Sequence, residues 1–164
     1  MPKLKEQSQV EDETGAMEDS SVQRESETAK TDEHGASNLD AKIIYAVHAA
    51  RDKKAIEPVL LDLRAVASFT DHFLILSGTN TRHVQAIADG IVGTLKANGV
   101  RANRVEGYSG AEWVLVDYGS FIVHVFEAKA RAFYDLERLW RDATRVTLPA
   151  DEMTAVESSL NNER

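Results

Sequence analysis

The chain has 164 residues, 43% of them apolar and 28% charged, with 27 acidic against 19 basic side chains and no cysteine. That leaves room for one domain with tails. Without cysteine there is no disulfide framework, thiolate zinc site, Fe–S cluster or cysteine nucleophile, and a reducing, cytoplasmic setting is expected. A formal charge of -8 argues against wrapping a phosphate backbone, because that affinity rests on surplus Lys and Arg. No apolar run approaches the ~20 residues that span a bilayer, and the N-terminus carries no signal-type apolar block.

The charge is unevenly spread. Residues 1–38 hold 10 acids and 4 bases with no aromatic residue. Such a stretch cannot bury enough apolar surface to offset its ordering entropy, so a disordered acidic extension is expected there. Residues 39–141 hold 12 acids and 13 bases and carry the apolar periodicity of a folded domain. Residues 142–164 hold 5 acids and 2 bases and read as an acidic C-terminal tail.

Within the core, Asp40 is placed to cap a helix in which Ile43, Ile44 and Val47 recur at helical spacing up to Lys53 and Lys54. Pro58 opens a short strand over Val59–Leu63, and the nearly unbroken apolar run Asp71–Ser77 predicts a central strand covered on both faces. Val84, Ile87, Ala88, Ile91, Val92 and Leu95 then define the strongest amphipathic helix, capped by Thr79 or Asn80 and ended at Asn98-Gly99. Arg101–Glu106 is a weak strand. Trp113–Asp117 and Phe121–Phe126 are strong ones, and the short Tyr118-Gly119-Ser120 link makes them an antiparallel hairpin. Phe133, Leu136, Leu139 and Trp140 suggest one face of a last helix. Helices interspersed among strands imply an α/β fold, a mixed sheet flanked by helices.

Metal and phosphate-loop motifs are absent from the sequence. His124 falls inside an apolar strand on the face of Ile122 and Phe126, where a hydrogen-bonded structural role outweighs a catalytic one. Asp71-His72 and Arg82-His83 would flank one cleft if the second strand and second helix are contiguous. Ser77–Arg82 could cradle a phosphate at a helix N-terminus, although a plain strand-to-helix turn looks the same. Asp62 and Asp71 stand on different strands and make no metal-holding pair, so no catalytic residue, metal or cofactor is assigned.

Glu106–Gly119 is more informative. If Val114 and Val116 face the helices, then Trp113, Leu115 and Asp117 share the other face, ringed by Glu106, Glu112 and Asp117. An apolar anchor inside an acidic rim suits a basic protein partner. The other reading, Trp113 as a core residue beside ordinary surface acids, stands equally open at this point.

The ordered set Thr70–Val84, Glu106-Gly107, Trp113–Gly119, His124-Val125-Phe126 and Arg131–Trp140 resembles the ribosomal silencing factor family, also called RsfS or Iojap-like, over about residues 39–141. The resemblance implies a mixed five-stranded sheet with helices, related to nucleotidyltransferases but lacking their catalytic carboxylates. It further implies a non-enzymatic protein that binds the large ribosomal subunit through its basic ribosomal protein number fourteen. With little direct nucleic-acid contact and no membrane, it blocks joining of the small subunit and represses translation in starvation. By the same resemblance Trp113, Asp117 and Tyr118 are the partner contacts, with Glu112 and Glu106 beside them. Ser120 departs from the acid common after the turn glycine. Homodimerisation, a role in large-subunit assembly, and a nucleotidyltransferase-like nucleotide-binding enzyme stay open as alternatives.

Overall fold

The computed structural model describes residues 39–150; the extension expected over 1–38 and residues 151–164 lie outside them. Helix α1 (Ala41–Asp52) begins where the Asp40 carboxylate accepts the Lys42 N–H at 2.9 Å, satisfying a donor that a helix start leaves unpaired. It buries Ile43, Ala46, Val47, Ala49 and Ala50. Strand β1 (Ile56–Asp62) is followed by β2 (His72–Gly78) and helix α2 (Thr81–Ala97). Asn80 is the α2 cap, its side chain accepting the His83 N–H at 2.8 Å, and Gly99 at φ 81° supplies the left-handed turn after the helix.

Strands β3 (Arg104–Glu106), β4 (Trp113–Asp117) and β5 (Phe121–Glu127) come next, then helices α3 (Ala128–Tyr134) and α4 (Leu136–Leu139) and strand β6 (Thr144–Val146). The strands form one sheet in the order β3-β4-β5-β2-β1-β6. β2 and β5 run parallel and every other pair is antiparallel. The apolar run of β2 has its cause in this order: β2 sits mid-sheet, and all its residues after His72 are buried.

Six strands stand where five were expected. The sixth, Thr144–Val146, is three residues long and has too little alternation to be read from sequence, yet it pairs with Leu60–Asp62. The folded domain therefore runs past the boundary expected at Arg141. β1 also starts earlier than expected, with Pro58 inside it. Its register is irregular between Ile56 and Val59, and β6 reaches only Leu60–Asp62, so no neighbour on that side needs the missing N–H.

The two sheet faces differ. On one, α1 and α2 pack over Leu60, Leu74, Leu76, Val114, Val116, Val123 and Val125, all buried. Each such branched side chain contributes roughly 1.5–3 kcal/mol relative to exposure, so this face holds most of the stability. On the other, Leu61, Phe73, Ile75, Ile122 and Phe126 form a second cluster with Ala130 and Leu136 from the α3–α4 corner.

That corner corrects the expectation of one last helix. Asp135 adopts φ 49°, ψ 51° between α3 and α4, which turns the chain. Leu136 therefore points inward while Phe133 and Leu139, expected on the same helix face as Leu136, are 80% and 73% exposed. Arg131 fixes the corner, its Nε donating to Glu137 Oε1 at 2.8 Å and its Nη1 to Ser77 Oγ at 3.0 Å. Arg145 of β6 reaches the second Glu137 oxygen at 3.3 Å.

Candidate functional site: an open aromatic sheet face

Alternation along β4 sends Val114 and Val116 to the helix-covered face and leaves Trp113, Leu115 and Asp117 on the other, as the sequence implied. Cross-strand pairing puts Phe126 beside Trp113, His124 beside Leu115 and Ile122 beside Asp117. Trp113 is half-buried: its ring stacks on Phe126 at 4.8 Å and meets Tyr134 at 4.9 Å. Its base is thus packed while the residue is not enclosed.

A continuous line of rings crosses this face: Phe69, Trp140, Phe73, His124, Trp113, Tyr134 and Phe133, with successive centroids 4.5–5.8 Å apart. Those separations are within the range of favourable aromatic pairing. Its ends are open, with Phe69 57%, Tyr134 49% and Phe133 80% exposed, and Leu139 adjoins the groove lined by Phe133 and Tyr134. Reading the last helix as continuous hid Phe133, Tyr134 and Leu139. Positions 133, 136, 139 and 140 fit one face of a continuous helix and only Tyr134 lies off it, so the spacing carried little sign that Phe133 and Leu139 face outward.

His124 anchors the row from beneath. The indole N–H of Trp113 donates to Nδ1 of His124 at 3.1 Å, so the neutral ring carries its proton on Nε2, which is buried without a partner. Burial pushes the imidazole down from 6.5 to about 4, keeping it neutral at physiological pH.

The acidic rim differs from expectation. Asp117 Oδ1 accepts the Gly119 N–H at 2.8 Å, while Oδ2 lies 3.5 Å from Arg104, whose Nε is also 3.4 Å from Glu106. One guanidinium therefore offsets two of the three expected acids, and only the exposed Glu112 has no ion pair among the described residues. The rim is still negative, though less than the sequence suggested.

Tyr118 does not join the site. One step on from Asp117, its half-buried ring packs against the helix-side core and stacks on Phe121 at 4.9 Å. Its hydroxyl is buried without a partner, and burial raises it to about 12. Ser120, at the turn, uses its carbonyl to accept the Asp71 N–H at 3.0 Å.

The proposed cleft of histidines is also not formed. His72 opens β2 and His83 follows its far end, a strand length of about 20 Å apart. The phosphate cradle is filled from within: His83 Nδ1 takes the Thr79 N–H at 2.9 Å, and Asn80 takes the N–H groups of His83 and Val84. His83 Nε2 is 2.7 Å from the Lys53 carbonyl and so carries the ring proton, fixing Nδ1 as the acceptor. No group of three potential metal ligands occurs among the described residues. Among them, too, no helix is long and apolar enough to cross a membrane.

A single mixed sheet with α1 and α2 on one face and the α3–α4 corner partly covering an aromatic face on the other defines the α/β class of this domain. The family model for "Ribosomal silencing factor during starvation" matches residues 36–164, and the chain belongs to that family. It is 44% identical over 103 residues to ribosomal silencing factor RsfS of Halalkalibacterium halodurans, covering 63% of this chain and 88% of that protein. A more distant relative is the mouse protein named mitochondrial assembly of ribosomal large subunit protein 1, 32% identical over 110 residues, covering 64% of this chain and 48% of that one. A crystal structure of a Bacillus halodurans protein superposes with a TM-score of 0.59 at 39% identity, covering 66% of this chain and 100% of that one.

Proposed function

We propose that the open aromatic face docks a basic protein of the large ribosomal subunit, ribosomal protein number fourteen by the family resemblance, and so keeps the small subunit from joining. Translation falls by steric occupancy, with nothing catalysed, in a cytoplasmic setting. The observation that carries this reading is the row of half-buried Trp113 with the exposed Tyr134, Phe133 and Leu139 of the α3–α4 corner, on the sheet face opposite α1 and α2. Large aromatic anchors on a rigid base are what interface hot spots are made of. Glu112 at the margin, with Glu106 and Asp117 shared with Arg104, leaves a negative balance that favours Lys and Arg on the partner without needing rRNA contacts.

Sedimentation tests the reading. Purified large and small subunits are mixed with and without the protein and run on a sucrose gradient. Comigration with the large subunit and a smaller joined peak are expected; protein left at the top with joining unchanged would refute it.

A role in large-subunit assembly is favoured by one specific observation, the name of the mouse relative. Accumulation of large-subunit precursors in a deletion strain separates it from silencing of mature subunits. The nucleotide-binding alternative has lost its best feature, since the amides at Thr79, His83 and Val84 are already paired. A melting-temperature shift with nucleotide and Mg²⁺ would restore it.

A further inference from the structure

We infer that Gln85 and Asp89 of α2 are positioning residues for the docking face: through Tyr108 they hold the loop 107–112 in the shape that presents Glu112 and Trp113. The inference rests on the docking role proposed above and adds residues from the opposite side of the sheet to it. Gln85 and Asp89 are four residues apart and so share one helix face. Gln85 Nε2 donates to the Tyr108 carbonyl at 2.9 Å, and the Tyr108 hydroxyl donates to Asp89 Oδ2 at 3.0 Å. One loop residue is thus gripped by its backbone and by its side chain.

The rest of the loop is shaped around that grip. Gly107 has φ 79°, and a Cβ there would run into the Trp113 carbonyl oxygen, so the loop folds directly over the start of β4. Ala111 is fully buried at φ 53°, a conformation an L-residue keeps only where its surroundings impose it, and its N–H reaches the Gly107 carbonyl at 2.9 Å. On the far side the Glu112 carbonyl accepts the Glu127 N–H at 2.9 Å. Between the α2 grip and this last bond, the path into Trp113 is fixed before any partner arrives. A loop left free would have to be ordered on binding, and that ordering would subtract from affinity.

The test uses the full chain with Tyr108→Phe, Asp89→Ala, Asp89→Asn, Gln85→Ala and the Tyr108→Phe/Asp89→Ala pair, reading affinity for large subunits, hydrogen exchange at the Ala111 amide and melting temperature. Tyr108→Phe and Asp89→Ala are each expected to weaken binding about three- to tenfold and to speed Ala111 exchange. The pair should do no more than either alone, because both remove one hydrogen bond. Asp89→Asn, which keeps an acceptor, should restore most of the affinity. Faster exchange with unchanged affinity would make the grip purely structural, and weaker binding with unchanged exchange would make these residues direct contacts; either result overturns the inference. If the unmutated chain fails to bind large subunits, the docking role itself falls, and the exchange data report separately on whether the grip orders the loop.

Discussion

Trp113 donates its indole N–H to Nδ1 of His124 across the β4–β5 ladder at 3.1 Å, which joins the leading candidate anchor of the open face to a buried, neutral imidazole. Neither residue is fully explained without the other. The histidine gives the indole a defined orientation, and the indole fixes the tautomer of the histidine.

This pairing makes stability depend on pH in a defined window. The His124 imidazole is held down at about 4 by burial, against an ordinary 6.5. Above 6.5 both folded and unfolded chains are neutral here and the full contribution is present. As pH falls from 6.5 to 4 the unfolded chain takes up a proton that the folded one refuses, so stability drops; below about 4 the contribution changes no further. Between pH 7 and 4.5 this costs about 2 kcal/mol. Urea unfolding of the unmutated chain and His124→Leu at both values checks it. The variant is expected to be less stable at pH 7 but to lose about 2 kcal/mol less on acidification, and equal losses in the two proteins would refute the assignment.

Phe133 and Leu139 separate docking from folding more cleanly than Trp113 can. Both are largely exposed, whereas Trp113 is packed on Phe126 and bonded to His124. Phe133→Ala and Leu139→Ala should leave unfolding free energy within about 0.5 kcal/mol, as for other exposed sites. Each should still weaken large-subunit binding by about 1–2 kcal/mol, the scale of an interface contact. Affinity unchanged in both variants would remove the α3–α4 corner from the docking face.

Much of this was legible in the sequence because it follows from periodicity. The unbroken apolar run of β2 marked the middle of the sheet, and alternation in β4 assigned Trp113 and Leu115 to one face and Val114 and Val116 to the other. What stayed hidden depended on contacts between segments distant in sequence. A three-residue strand such as β6 exists only because β1 offers it an edge. The left-handed Asp135 broke a helix that spacing alone would continue, and so parted Phe133 and Leu139 from buried Leu136 and left them at the surface. Tyr118 was placed among the contacts through the family resemblance, next to Asp117, although a single step along a strand reverses the face. The acids around Trp113 could be counted, but not the guanidinium of Arg104 lying between two of them.

Asp117 was expected to meet the partner, and its bonds give it a different first duty. Its carboxylate closes the hairpin turn on the Gly119 N–H and faces Arg104. Asp117→Ala should cost about 1 kcal/mol of stability from the lost turn bond. Arg104→Ala should cost little stability, because the guanidinium is exposed and its contacts are long at 3.4 and 3.5 Å, and should strengthen the attraction of the rim for a basic partner. Denaturation curves and the salt dependence of large-subunit binding check both. Binding that weakens in Arg104→Ala would show that the guanidinium itself touches the partner.

Two glycines offer opposed outcomes from the same substitution. Gly107 lies at φ 79° with the Trp113 carbonyl where a Cβ would go, so Gly107→Ala adds both a left-handed strain and an overlap with backbone that cannot swing aside. A loss of about 2 kcal/mol or more is expected, with docking weakened as the start of β4 shifts. Gly93 lies inside α2 with open space around its Cβ position. There Gly93→Ala only removes backbone freedom from the unfolded chain and should stabilise by about 0.5–1 kcal/mol without touching the docking face. Thermal unfolding of the two variants beside the unmutated chain decides the matter. A neutral Gly107→Ala would mean that the loop can adopt another path into β4, which would also undercut the fixed presentation of Trp113.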